Sequence, residues 1–259
     1  MRPNALRTVL NRVSGLISSG GQKKRITAAD VEEMVELVCA HSAISETAEG
    51  GSWETSLDET QDAAELIAAV AKRLGEAWCN DECDFSNVTI AMTRLQTALH
   101  RLLRNRTKVT PLQTDAYSVL LTLPPGEQHT LGLAITQHAF SASGWATELL
   151  HPRSLDSIIQ YMDEQLIGET RFDLICVSWS NGDLRDRFVH MVETIRGHFG
   201  DSCPVIIAGG HSADVNAPLL ASLGVRNASD HGHSAVTLAG VMLKSAQAGV
   251  SGAMRKLAG

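Results

Sequence analysis

The sequence predicts two kinds of structure in one chain. An N-terminal helical bundle is followed by a doubly wound α/β domain, built on a five-stranded parallel sheet. Three observations lead there. Apolar residues recur at helical spacing through residues 26–108. From residue 109 onward, short apolar runs of strand length alternate with segments of helix length. No apolar run approaches the roughly 18 residues that a membrane helix needs.

Bulk properties narrow the classes. At roughly 150 residues per domain, 259 residues suggest one large domain or two ordinary ones. Hydrophobic residues at 44% and charged residues at 20% exclude a wholly disordered or fibrous chain. Aromatics at 4% require an aliphatic core. The five cysteines (Cys39, Cys79, Cys83, Cys176, Cys203) are odd in number, and the sequence shows no secretion signal. Reduced thiols in a cytoplasmic protein are therefore expected. The CxxxC spacing of Cys79 and Cys83 is a weak signal that reads first as small side chains at a helix end, with a redox or metal pair as the alternative.

The formal net charge of −7 argues mildly against a nucleic-acid binder, but it hides a split. Arg2, Arg7, Arg12, Lys23, Lys24 and Arg25 put +6 on residues 1–25, which contain no acid. The rest of the chain must then carry −13. Within the basic segment, Leu6, Val9, Leu10, Val13, Leu16 and Ile17 fall at helical spacing, and SSGGQKKR ends it. It reads either as a terminus packed on the domain behind it or as an arm that touches a partner or DNA.

Residues 26–108 form the second part. Thr27, with Asp30 three residues on, caps a helix with Val31, Met34, Leu37 and Val38 on one face. After the loop SETAEGGSW, Asp58 opens a helix whose stripe is Ala63, Ile67, Val70, Leu74 and Trp78. The turn NDECD leads to a third helix striped by Val88, Met92, Leu95, Leu99 and Leu102. Such helices bury their stripes as a bundle.

Residues 109–259 form the third part. TPLQTD is a linker. Strands are expected at 117–123, 145–150, 172–180, 204–210 and 225–229. Helices are expected at about 129–143, 154–168, 184–199, 212–223 and 232–247. Right-handed crossovers limit the strand order to a few choices, of which 2-1-3-4-5 is the common one for five strands.

In this architecture ligands bind at the carboxyl ends of the strands. There the first strand is followed by PPGEQHTLG, the third ends in VSWS, the fourth leads to Gly209-Gly210-His211 and the fifth to Ser229-Asp230. His129 is the sharpest element, an imidazole in a strand-to-helix loop with Glu127 two residues earlier to receive a ring N–H. On its own it reads as a solvated loop residue or as a metal ligand suited to cobalt or iron.

The spacing of these pieces resembles the cobalamin-binding signature DxHxxG, then SxL, then GG. It stands here as EQHTLG (Glu127, Gln128, His129, Thr130, Leu131, Gly132), SWS (Ser178, Trp179, Ser180) and Gly209-Gly210, with intervals 133–177 and 181–208. The resemblance implies a Rossmann-like fold in which His129 is the lower axial ligand of cobalt. It implies that Glu127 and Ser178 lie in a hydrogen-bond relay, that Gly209 and Gly210 leave room for the buried nucleotide tail, and that Ser229 and Asp230 flank it. Glu127 replaces the usual Asp and Ser180 the usual Leu. Strand alternation turns Trp179 to the face opposite its neighbours, under the sheet.

The helical part is similar to the cap that covers the corrin in this family, beginning at LGEAW with Trp78. The following helix reads TRLQ, with no His before His100, where photoreceptor relatives carry Glu-His. That favours cobalamin in its hydroxo or aquo form over adenosylcobalamin. Across about residues 50–235 the chain resembles the AerR/PpaA antirepressors of purple photosynthetic bacteria, most closely in DECDFSNVT, RLQ and EQHTLG. The resemblance implies a regulator that binds a PpsR/CrtJ-type repressor, with DNA contacted through residues 1–25 or through the repressor. Two alternatives stand: a corrinoid methyl carrier and a haem sensor on the same scaffold. An enzyme is not expected. Ser178 lacks a G-x-S-x-G elbow, and His211, His231 and His233 lack metal-ligand spacing. No winged helix precedes residue 110, and no membrane association is expected.

Overall fold

A computed structural model describes residues 26–39, 63–106, 116–168, 171–228 and 234–245. The basic segment 1–25, the loop SETAEGGSW, the linker TPLQTD, and Ser229, Asp230, His231 and His233 lie outside these residues. The chain divides into two compact units, Met1–Val109 and Thr110–Gly259.

The first unit contains three described helices, α1 (Ala28–Cys39), α2 (Ala63–Cys79) and α3 (Phe85–Arg106). Thr27 and Asp30 cap α1 reciprocally. The Thr27 amide donates to the Asp30 carboxylate at 2.8 Å, and the Asp30 amide donates to the Thr27 hydroxyl at 3.3 Å. The stripes meet as predicted. Met34, Leu37 and Val38 of α1, Ile67, Val70 and Leu74 of α2, and Leu95, Leu99 and Leu102 of α3 are buried. Polar ties reinforce the packing: Arg73 joins Glu32 to Glu82, and Arg94 donates to the Val38 carbonyl.

Trp78 departs from the predicted stripe and is 51% exposed. The buried arc of α2 runs through Leu66, Val70, Leu74 and Ala77, and Trp78 falls at its rim in the last turn. Phe85, at the start of α3, is exposed as well. Cys39 and Cys83 are neighbours: burial, and then the adjacent Cys83 sulfur, push the Cys39 thiol up.

The second unit holds the sheet. Its strands are β1 (Ser118–Thr122), β2 (Ala146–Leu150), β3 (Leu174–Ser178), β4 (Val205–Gly209) and β5 (Arg226–Asn227). All pairs are parallel, in the order β2-β1-β3-β4-β5 that the sequence predicts. The helices are α4 (Leu131–Ala142), α5 (Leu155–Ile167), α6 (Arg185–Phe199), α7 (His211–Val215), α8 (Ala217–Ser222) and α9 (234–245). The predicted helix 212–223 is two helices. Pro218 has no N–H to offer Asp214, so one helix cannot run through, and Asn216 forms the break.

Strand alternation divides the core into two layers. Leu120, Ile175, Val177, Ile206 and Ala208 face α5 and α6, where they meet Ile158, Met162, Phe188 and Met191. Val119, Leu121, Leu174, Cys176 and Ile207 face α4 and α9, where they meet Leu133, Phe140, Ala235 and Ala239. Burial alone lifts the Cys176 thiol to about 12, so this cysteine behaves as a small apolar side chain.

Trp179 lies just past β3 in the α5/α6 layer and is fully buried. It stacks on Phe188 with ring centroids 4.5 Å apart and planes 11° apart, and its indole N–H donates to the Asn181 carbonyl at 2.7 Å. The predicted packing under the sheet is what the fold shows. The ring therefore belongs to the core, and only the backbone of Trp179 reaches the rim. Trp179→Ala is expected to destabilise the α/β unit by roughly 3–5 kcal/mol, read from the midpoint of urea unfolding.

Candidate functional site

The strand order places the chain's reversal between β1 and β3, and the segments after β1, β3 and β4 gather at that rim. The segments after β1 and β3 meet at one carboxylate. The Glu127 side chain has no exposed surface, although it sits in a loop. Its Oε1 accepts the amide N–H of Gln128 at 2.9 Å, the amide N–H of His129 at 3.1 Å and the His129 ring at 2.6 Å. Its Oε2 accepts the amide N–H groups of Ser180 at 2.9 Å and Asn181 at 2.8 Å. The extra methylene of Glu over Asp carries the carboxylate across the gap between the two loops.

These donors decide the charge state. Burial by itself would raise the Glu127 pKa. The amides of Asn181 and Ser180, then the His129 ring and amide, outweigh it and hold the value at about 2. An ionised carboxylate has no proton to give, so Nδ1 of His129 is the donor in the 2.6 Å bond. Whenever the ring is neutral it is thereby fixed as the Nδ1–H tautomer, with the lone pair on Nε2. The imidazole is 66% exposed, so that lone pair is accessible. Among the described residues, no three His, Cys, Asp or Glu side chains gather as a metal cage. One accessible imidazole suits a metal whose other positions are filled by a macrocycle, as in a corrin or a porphyrin. In that sense the residues fit such a group.

The other predicted residues take distinct places. Gln128 is exposed, and Leu131 is buried at the start of α4, where Thr130 takes the N-cap position without a side-chain bond. Ser178 pairs with Gly209 across β3 and β4, and both lie toward α4 and α9. A Cβ on Gly132 would meet only the Ser178 hydroxyl, at an ordinary 3.5 Å.

The Gly209-Gly210 pair has a nearer cause than the tail room that the resemblance implies. A Cβ on Gly209 would stand 3.0 Å from the Ala228 carbonyl, and one on Gly210 2.7 Å from the Trp179 carbonyl. Gly210 also has φ +103, which favours glycine. The protein's own backbone requires glycine at 210 and leaves little room for a side chain at 209. The Ser180 hydroxyl sits against Gly210, and the Ser180 carbonyl accepts from Ser212 at 2.7 Å, which ties the β3 end to α7. Asn181 and Ser212 were not singled out in the sequence. Asn181 contributes a backbone amide, which leaves no trace in residue type, and Ser212 offered only its place after the Gly-Gly pair.

The depressed Glu127 pKa sets a pH dependence. Its stabilising effect is complete above the ordinary value of 4.5 and is lost as pH falls toward about 2. Stability measured by urea unfolding should therefore drop across that window, by roughly 3 kcal/mol from this group. Glu127→Gln should be less stable at neutral pH and lack that part of the acid slope. An identical slope in the variant means that the carboxylate is not held as described.

No family profile matches the chain. Among solved structures, the monomethylamine corrinoid protein of Methanosarcina barkeri is similar, with 13% identity, 93% of this chain and 96% of that one covered, and a TM-score of 0.55. That likeness shows the fold: helices followed by a parallel α/β sheet domain, the fold of a corrinoid protein. A cobalamin-binding protein from Desulfitobacterium hafniense DCB-2 matches at 15% identity over 91% and 95% of the two chains, with a TM-score of 0.42. The methanol:cobalamin methyltransferase complex MtaBC from M. barkeri matches at 12% identity over 94% and 93%, with a TM-score of 0.43. In sequence, the chain is 32% identical over 133 residues to an uncharacterized 20.5 kDa protein in the bchF–crtJ intergenic region of Rhodobacter capsulatus. The match covers 51% of this chain and 67% of that protein. The chain therefore belongs to the family of this R. capsulatus bchF–crtJ intergenic protein.

Proposed function

We propose that the protein is a cobalamin-binding regulator, in which His129 is the lower axial ligand of cobalt. The observation that carries this reading is the exposed imidazole whose Nδ1–H is pinned by a buried, ionised Glu127, leaving Nε2 to bind metal. Such a carboxylate–histidine pair raises ligand basicity and fixes ring orientation. Gly132 and Ser178 would lie along the nucleotide tail, with Ser180 and the Gly209-Gly210 turn beside it. A corrin-held cobalt, when bound, supplies a centre whose upper ligand exchanges with light or solution conditions. The TRLQ stretch lacks the Glu-His pair of photoreceptor relatives and no His follows before His100, which favours a hydroxo or aquo upper ligand over adenosyl.

The finer reading is an antirepressor of the AerR/PpaA type, cytoplasmic and without catalysis of its own. Its partner would be a PpsR/CrtJ-type repressor of photosystem genes. The relative from the bchF–crtJ region supports this reading. Among the described residues no helix is long and apolar enough to cross a membrane. A corrinoid methyl carrier is the second reading, favoured by the fold shared with the M. barkeri corrinoid protein. Binding a PpsR/CrtJ-type repressor opposes that reading, and methyl transfer with a partner methyltransferase supports it. A haem sensor would use the same imidazole on iron, and a sharp Soret band in place of a corrin spectrum identifies it.

The protein reconstituted with hydroxocobalamin should show an altered visible spectrum that His129→Ala abolishes. Gly132→Ala should keep or raise stability, since it adds a methyl to a helix start with room for it, yet weaken cobalamin binding. An unchanged spectrum and affinity in His129→Ala would sink the ligand assignment. A second expectation concerns the +6 segment. Removing residues 1–25 should leave cobalamin binding intact and weaken the complex with repressor on DNA, more strongly at low salt. Equal affinity before and after removal, by gel shift, would leave that segment without a role in the complex.

A further inference from the structure

The loop that carries Glu127 and His129 opens with a tight turn, Pro124-Pro125-Gly126-Glu127. The Glu127 amide donates to the Pro124 carbonyl at 2.9 Å, and Gly126 has φ +91. Proline at the second place and a positive-φ glycine at the third are the pattern of a type II turn. In that turn the central peptide is flipped relative to type I, and its carbonyl points away from the turn. Here the carbonyl is that of Pro125, and the Arg187 guanidinium donates to it at 3.1 Å. The same guanidinium stands where a Gly126 Cβ would be, packed on the bare Cα, with Leu184 beside it. A side chain at position 126 would displace Arg187 as well as strain the backbone.

Arg187 lies in the first turn of α6, shortly after the Ser180 and Asn181 amides that hold the far oxygen of Glu127. The stretch 125–127 is therefore tied to one segment, 180–187, at both ends: through the Pro125 carbonyl and through the Glu127 carboxylate. We propose that Arg187 is a positioning residue for the metal-binding imidazole. By locking the Pro125–Gly126 peptide, it keeps the Glu127 carboxylate between His129 and the β3–α6 segment, and so fixes the His129 tautomer. The consequence for cofactor affinity rests on the cobalamin reading above; the consequence for the tautomer does not. Arg187 is exposed, so its removal opens no cavity in the core.

The test uses the full chain without cofactor and histidine side-chain 15N NMR, with the His129 signals assigned by their loss in His129→Ala. In the wild type, His129 should show the Nδ1–H tautomer. Arg187→Ala should move it to a tautomer mixture, Gly126→Ala should do the same, and the two together should do no more than either alone. Arg187→Lys, which keeps one donor, should restore most of the wild-type pattern. Arg187→Met keeps the stem packing and covers the case in which the alanine variant folds poorly. Titration with hydroxocobalamin should then show affinity about tenfold weaker in Arg187→Ala.

A wild-type tautomer in Arg187→Ala and Arg187→Met overturns the proposal, even if the melting temperature falls, because a purely structural role would lower only the latter. Failure of the cobalamin reading is separate: His129→Ala would then leave hydroxocobalamin affinity unchanged, while the tautomer comparison still decides the role of Arg187.

Discussion

The rim of the α/β unit depends on one buried carboxylate. Glu127 receives five N–H groups, two from its own loop's backbone, one from the His129 ring and two from the end of β3. Burying an ion without partners costs several kcal/mol, and leaving five donors unpaired at a loop junction costs a comparable amount. The two problems cancel at this atom pair. The result is a loop with few conformations and a histidine with a fixed tautomer. Neither strand ends nor helix ends alone would have achieved that, since loop amides otherwise turn to water.

The fold supplies the two halves of this contact by simple geometry. Parallel strands present all their carboxyl ends at one edge, and β1 lies beside β3 because the chain reverses there. Alternation along β3 and beyond it then sorts the residues. Ser178 turns toward α4 and α9, and Trp179 turns under the sheet to stack on Phe188. The buried tryptophan anchors the segment whose next two amides hold Glu127. Core packing and site geometry are thus linked through Trp179 and Asn181. The indole donates to the Asn181 carbonyl, while the Asn181 amide donates to the carboxylate.

Much of the fold was legible because its signals are local. Apolar runs such as LICV and VIIAG have the length and branching of buried strands, and the stripes of α1 and α3 repeat at helical spacing. The differences have two causes, one spatial and one a local proline. Trp78 continues a stripe in sequence, yet the buried arc of α2 turns toward Ala77 at its end. The helix 212–223 looked continuous by apolar spacing, and Pro218 with Asn216 broke it. At the site, His129 and Glu127 stood out because imidazole and carboxylate two residues apart carry chemistry. Asn181 acts through its backbone, and Arg187 through a carbonyl sixty-two residues away in sequence, so residue type announces neither.

By itself, then, the sequence determined the element types, narrowed the strand order to a few choices and, through its resemblance to one signature, pointed to the candidate ligand. These follow from periodicity, from crossover handedness and from the spacing of a few short motifs. The tertiary structure alone decided the state in which that imidazole is held. The charge on Glu127, which in turn sets the tautomer of His129, and the crowding at Gly126 and Gly210 depend on groups distant in the chain. The amides after β3, a guanidinium on α6 and the Trp179 carbonyl create them. A hydrogen bond or a steric contact is a property of two positions in space, and a linear spacing records only one of them.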